Sequence, residues 1–257
     1  MSIDPRAVIA PSAQLAEGVE VGPFAVIGEG VEIGEGSIIG PHAVINGPTR
    51  IGRECRVFQF ASIGDAPQDK KYRGEPTRLE IGDRNIFREC CTVNRGTVGG
   101  HGITRIGSDN LFMAYSHVAH DCVIGDHCVF SNSVALAGHV EVADWVIMSG
   151  FAGVHQFCKV GAHAFLANNT AATRDVPPYL LVAGTPAEPK GINSEGLKRR
   201  GFTPEQIANI KQAYRVLYRD GLKLEEASQE LERLAADQPE LRLFTEFLPT
   251  VTRSIVR

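Results

Sequence analysis

The sequence predicts a mainly β protein: a three-faced prism of hexapeptide repeats, a parallel β-helix, followed by a small C-terminal α-helical domain. Three observations predict it. First, every sixth residue from Ile3 is aliphatic: Ile3, Ile9, Leu15, Val21, Ile27, Ile33, Ile39, Ile45, Ile51, Val57 and Ile63. At 43% apolar content overall, eleven successive hits in one phase have a chance probability of roughly 10⁻⁴. Second, four residues after each anchor stands a small or β-branched residue, from Ala7, Ala13 and Val19 to Cys55 and Ala61. A large aliphatic and a small residue at fixed offsets describe a flat strand and a tight corner facing a narrow interior, with about 18 residues per coil and coils ~4.8 Å apart. Third, the repeat stops near 168–173, and the apolar period beyond it becomes helical.

The elements follow in order. The phase breaks at Asp69 and Glu75, resumes at Ile81, Phe87 and Val93, slips once, and runs from Ile106 to Leu166. Two insertions therefore leave the prism, at 65–80 and 94–104, and loops on a regular scaffold often carry function. "DVPPYLLVAGTPAEPKGIN" is a Pro/Gly-rich exit. A helix then starts with Thr203 as cap and Pro204 in its first turn, buries Ile207, Ile210, Tyr214 and Leu217, and stops at Gly221. A second covers 224–237 with Leu224, Ala227, Leu231 and Leu234, and a third covers 239–253 with Leu241, Phe244, Leu248 and Val251. The domains are expected at 1–184 and 185–257.

The bulk numbers narrow the function classes. Net charge is −4, which argues against nucleic-acid binding through overall positive charge. No apolar run approaches the roughly 18–20 residues of a membrane-spanning helix, and "MSIDPRAVIAPSAQ" does not read as a secretory leader. A soluble, cytoplasmic protein is expected. Five cysteines (Cys55, Cys91, Cys122, Cys128, Cys158) fall in the small interior column, where Cys packs as a compact hydrophobe, and no CxxC pair points to a metal.

The stretch "SHVAHDCVIG" carries the chemistry. His120 lies two residues after the anchor Val118; one coil of 18 on is Gly138, and another is Gln156. These three should form a column with ~4.8 Å steps, flanked by His139 and His155. Position +1 after an anchor is usually small, so His155 departs from the structural pattern. Position +3 holds His42, His127, His139 and His163, so a histidine there also reads as a solvated corner. An imidazole with an ordinary pKa near ~6.5 suits removal of a hydroxyl proton. Gly138 lets a backbone N–H approach an acyl oxyanion. Asp121 is a candidate partner for His120, although alternation along a strand turns adjacent side chains apart. His117, His120 and His139 could instead hold zinc, as in a gamma-carbonic-anhydrase-like trimer. Lys198-Arg199-Arg200 is a basic cluster suited to phosphate or to an acidic partner.

"SHVAHDCVIG", "ALAGHV", "GVHQFCKVGAH", "DVPPY" and "INSEGLKRRGF", in this order, together with "KKYRGEPTRLEIGD", resemble the acyl-[acyl-carrier-protein]–UDP-N-acetylglucosamine O-acyltransferase family over essentially the whole chain. The resemblance implies a left-handed prism and a homotrimer with clefts between subunits. It implies transfer of an (R)-3-hydroxyacyl chain from acyl carrier protein to the glucosamine 3-OH of UDP-N-acetylglucosamine, the first step of lipid A synthesis, with no cofactor or metal. Residue by residue, His120 matches the general base and Gly138 the oxyanion amide. Asp69, Lys71, His117, His139, His155 and Gln156 match positions lining the sugar-nucleotide site. Asn193, Glu195, Arg199 and Arg200 match positions near the nucleotide and phosphates. Asn168 matches the position that limits acyl length. Asn94 departs from relatives with histidine there. The runner-up is a hexapeptide acyltransferase that N-acylates an amino sugar, whose family carries a domain before the repeats.

Overall fold

The computed structural model describes residues 2–257. Twenty-eight short strands form three sheets of 11, 9 and 8 strands, and successive strands pass from one sheet to the next. Within the prism, strands that neighbour each other in a sheet come from successive coils and run parallel, in register anchor to anchor. In the 9-stranded face Val93 pairs with Val118, Val118 with Leu136, Leu136 with Val154 and Val154 with Ala172. Parallel strands of two or three residues are stable because each coil's edge is covered by the next.

The interior is as narrow as the two-column pattern requires. Anchors from Val21 to Leu166 are buried, as are the small residues between them, including all five column cysteines. Those thiols are free, and burial pushes Cys91, Cys122 and Cys128 up to about 12, so they are inert packing groups. Phe87, Phe112 and Phe130 stack one per coil at 4.8 and 4.7 Å, which reads the coil rise directly.

The corners explain the histidines at position +3. From Phe24 and His42 to His163 and Asn169, most non-glycine residues at that position adopt left-handed backbone, φ 53–64°. This costs an L-residue roughly 1–2 kcal/mol. Stacked rings offset part of the cost: His42 lies between Phe24 and Phe60 at 5.2 and 5.3 Å, and His127 lies on Trp145 at 4.1 Å. Corner histidines are rungs of aromatic ladders, not freely solvated side chains.

Both insertions are present, though narrower than expected, because Arg78–Ile81 and Ile103–Ile106 pair as strands. The Pro/Gly-rich exit also contains strands. Leu180–Ala183 continues the 11-stranded sheet, and Glu188–Ile192 pairs antiparallel with it, so the last coil does not end on a bare edge. A short helix α1 (Ser194–Arg199), absent from the periodicity reading, follows Asn193, whose side chain accepts from Gly196 N–H. Helix α2 (Pro204–Tyr218) has the expected Thr203 cap, completed to a capping box by Gln206, and ends just before Gly221. Helix α3 is Leu224–Ala235. The expected third helix is instead a 3₁₀ turn at Pro239–Leu241, α4 (Arg242–Phe247) and a second 3₁₀ turn at Leu248–Thr250, where Pro249 ends regular hydrogen bonding.

Candidate active site

The corner after the 9-stranded face holds the chemistry. Because Val118, Leu136 and Val154 are in register, His120, Gly138 and Gln156 occupy one column. His120 Nδ1 lies 2.8 Å from Asp121 Oδ2. Strand alternation does not separate these neighbours, since Asp121 is a corner residue with φ +59°.

Asp121 is fully buried in a cradle made by the second insertion. The Thr97 hydroxyl donates to Oδ2 at 2.6 Å, and the Thr97 N–H reaches both oxygens at 3.0–3.1 Å. His101 N–H donates to Oδ1 at 3.0 Å, and Asp121's own N–H donates to Thr104 Oγ1 at 2.8 Å. Burial opposes the charge, yet the bonds from Thr97 and His120 outweigh it and hold the carboxyl below its ordinary value. Gly100 is required in this loop, because a Cβ there would meet the Asp121 carboxylate at 2.5 Å. Thr97, Thr104 and Gly100 escaped the sequence reading, which marked the insertion but not its contacts.

An ionised Asp121 accepts a hydrogen bond from Nδ1–H and leaves the Nε2 lone pair free. Gly138 faces that edge: a Cβ on it would lie 2.6 Å from His120 Cε1 and 2.7 Å from Nε2. The Gly138 N–H donates to no backbone acceptor among the described residues. A base and an uncommitted amide thus meet at one open spot.

His139 closes the corner, edge-on to His120 at 5.0 Å and stacked on Phe157 at 4.4 Å. Burial, together with the His120 and His101 charges, lowers its pKa despite the Asp121 carboxylate. Asp69, in the first insertion, is close enough for its charge to act on His139. Lys71 is exposed, and its N–H donates to Asp69 Oδ1. His117 is held by Thr92 Oγ1 at 2.7 Å, and burial, then the nearby His120, lowers its pKa. His117 and His155 line one shallow apolar groove with Ala135, Gly153 and Ala171. Asn94 is buried and donates to the Ala66 carbonyl at 3.0 Å, so it ties the first insertion to the prism. Arg95 does the same, donating to the Gly47 and Gly64 carbonyls of the prism and to the Tyr72 hydroxyl of the insertion.

Within one protomer the three imidazoles of the zinc alternative do not converge. The clustered donor atoms belong to His120, Asp121 and His139, not His117. Both Asp121 oxygens already accept hydrogen bonds from Thr97, His101 and His120, which makes them poor ligands.

The remaining expected residues lie at other corners of the same protomer. Asn193 Nδ2 donates to the His163 carbonyl at 3.0 Å. Arg200 lies over Trp145 at 5.4 Å and 3.3 Å from His163 Nδ1. Arg199 pairs with Glu195 on the exposed side of α1. Asn168, exposed, follows Leu166 of the 11-stranded face. One protomer therefore brings His117, His120, Asp121, Gly138, His139, His155 and Gln156 together, and leaves Asn168 and the Asn193–Arg200 group apart from them.

The family model described as UDP-N-acetylglucosamine O-acyltransferase, domain 2, matches residues 175–256, and the bacterial transferase hexapeptide model matches 12–47 and 103–138. The chain is 54% identical to the acyl-[acyl-carrier-protein]–UDP-N-acetylglucosamine O-acyltransferase of Thiobacillus denitrificans, over 100% of this chain and 99% of that one. It belongs to that family of acyltransferases. The solved UDP-N-acetylglucosamine acyltransferase of Francisella novicida is 45% identical with TM-score 0.97, covering 99% of this chain and 94% of that one. The enzyme of Moraxella catarrhalis is 41% identical with TM-score 0.98, and each chain is covered completely. Among the described residues, no helix is long and apolar enough to cross a membrane.

Proposed function

We propose that this chain transfers an (R)-3-hydroxyacyl group from acyl carrier protein to the glucosamine 3-OH of UDP-N-acetylglucosamine, opening lipid A synthesis in the cytoplasm. The relatives' names supply the substrates. The observation that carries the mechanism is the His120–Asp121 pair set against the uncommitted Gly138 N–H. His120 Nε2 takes the 3-OH proton as the sugar oxygen attacks the thioester carbonyl. The tetrahedral oxyanion accepts from Gly138 N–H. Collapse breaks the C–S bond, and His120 returns the proton to the departing thiolate. Asp121 keeps the imidazole in the productive tautomer. His117, His139, His155, Gln156, Asp69 and Lys71 line the acceptor site.

The split of site residues over separate corners supports a homotrimer of left-handed prisms with clefts between unlike faces of neighbours. Asn168 of one subunit then approaches an acyl chain anchored at His120 of the next. The prism serves as catalytic domain (1–184), and the helical domain (185–257) brings Asn193, Glu195 and Arg200 to the nucleotide. Lys211, exposed on α2, and Arg199 offer positive charge to the acidic carrier protein.

The test is to incubate purified protein with 3-hydroxyacyl carrier protein and UDP-N-acetylglucosamine and to follow the sugar nucleotide by mass spectrometry. A base-labile 3-O-acyl ester is expected. No acylated product, across a ladder of chain lengths, overturns the reading.

A further inference from the structure

The column of His120, Gly138 and Gln156 has one more rung. Val154 pairs with Ala172, so Arg174 stands one coil beyond Gln156 at the same offset. The next residue, Asp175, is buried and joined to the C-terminal tail. Its N–H donates to the Ser254 carbonyl at 3.0 Å, and its carbonyl accepts from Val256 N–H at 2.9 Å. Its carboxylate accepts from the N–H groups of Lys159 and Thr252 at 2.8 and 3.4 Å. Ile255 and Val256 are buried, so the tail is packed in place.

This tail brings Arg253 to the site. The guanidinium carbon lies 5.7 Å from the centroid of the Phe157 ring, which stacks on His139. Nη1 lies 3.4 Å from His155 Nδ1. The same Nδ1 lies 3.2 Å from the Gln156 carbonyl. Arg174 and Arg253 are both exposed. Among the described residues neither is ion-paired with a carboxylate. The nearby carboxylate of Asp175 is buried against backbone N–H groups and serves neither arginine.

We propose that Arg253 and Arg174 form a phosphate-ester subsite at the C-terminal end of the site, an inference that rests on the acyl-transfer reading above. Each guanidinium offers a planar fork of donors and keeps its charge at any working pH. Both substrates of that reaction carry the matching group: the diphosphate of the sugar nucleotide, and the phosphodiester of the carrier protein's prosthetic arm. The ring of Phe157 beneath Arg253 steadies the fork without neutralising it.

The test uses steady-state kinetics of the full-length enzyme. Arg253→Met keeps the aliphatic contact with Phe157 and deletes the charge. It should raise the KM of one phosphate-bearing substrate roughly 10-fold, the ratio that one charge-assisted hydrogen bond supplies, with little change in kcat. Arg253→Lys should recover part of the loss, and adding Arg174→Met should deepen it. A rise confined to UDP-N-acetylglucosamine assigns the diphosphate. A rise confined to acyl carrier protein assigns the arm, and the variant should then match wild type on an acyl-pantetheine that lacks the phosphate. Unchanged KM values in the double variant, an equal rise in both, or a fall in kcat alone overturns the subsite. Wild-type protein that transfers no acyl group would instead overturn the reading beneath it.

Discussion

The imidazole of His120 and the carboxylate of Asp121 meet at 2.8 Å although the two residues are consecutive. The left-handed corner makes this contact, and the second insertion holds it from behind through Thr97 and the His101 N–H. Asp121→Asn puts an amide where Nδ1 needs an acceptor and favours the unproductive tautomer. Turnover should fall by ~10²–10⁴. Thr97→Val should lower it less, because His101 still donates. The Asp121 carboxyl is held below its ordinary value, so its contribution to stability is present above that value and is lost as pH falls through the folded one. Both variants should therefore melt closer to wild type in strong acid than at neutrality. Wild-type kcat in Asp121→Asn would remove Asp121 from the mechanism.

Gly138→Ala tests the open spot. The added methyl would sit 2.6 Å from the His120 ring, so the imidazole must move. A misplaced base costs about 10²-fold in rate, while the coil backbone is unaffected. An active Gly138→Ala enzyme would mean that His120 and Gly138 do not act on one substrate atom.

Much of this was legible because a hexapeptide period is an address. Once Val118, Leu136 and Val154 share a phase, the meeting of His120 with Gly138 is arithmetic, and the cysteines explain themselves as interior packing. Continued one coil, the same arithmetic reaches Arg174. Contacts that leave the period were not legible. Thr97 reaches Asp121 from an irregular loop, and Arg253 arrives on a tail that crosses back to Asp175. The stacking of the corner histidines is not legible locally, because it depends on residues 18 apart, such as Phe24 with His42. The strands at Leu180–Ala183 and Glu188–Ile192 were hidden by prolines and glycines that the hairpin accommodates at its turn and outer edge.

His163 gives the fold a pH dependence. Burial, with Arg200 beside it, lowers its pKa to about 4. The unfolded chain takes up a proton near ~6.5, so between these values it binds more protons than the folded one. This contribution to stability is complete above ~6.5 and is lost as pH falls towards 4. Wild-type melting temperature should decline over that window, and His163→Gln should flatten the decline. Parallel curves would place the dependence elsewhere.

Asn168 should set acyl length. It lies about three coils along the axis from His120, ~13–14 Å, and a longer tail would meet an amide that is costly to bury unpaired. A preference for medium 3-hydroxyacyl chains is expected, with Asn168→Gly shifting it to longer ones on a ladder of acyl carrier protein thioesters. A wild type that already prefers fourteen carbons, with an unchanged profile in the variant, would refute the ruler.

The most direct test of the whole account is the turnover of His120→Ala on 3-hydroxyacyl carrier protein and UDP-N-acetylglucosamine, measured beside its melting curve. The ring of His120 is only partly exposed and contributes no interior anchor, so the fold should persist. Loss of ~10²–10⁴-fold in kcat with an intact melting transition is the predicted result. Near-wild-type turnover in a folded His120→Ala protein would contradict it.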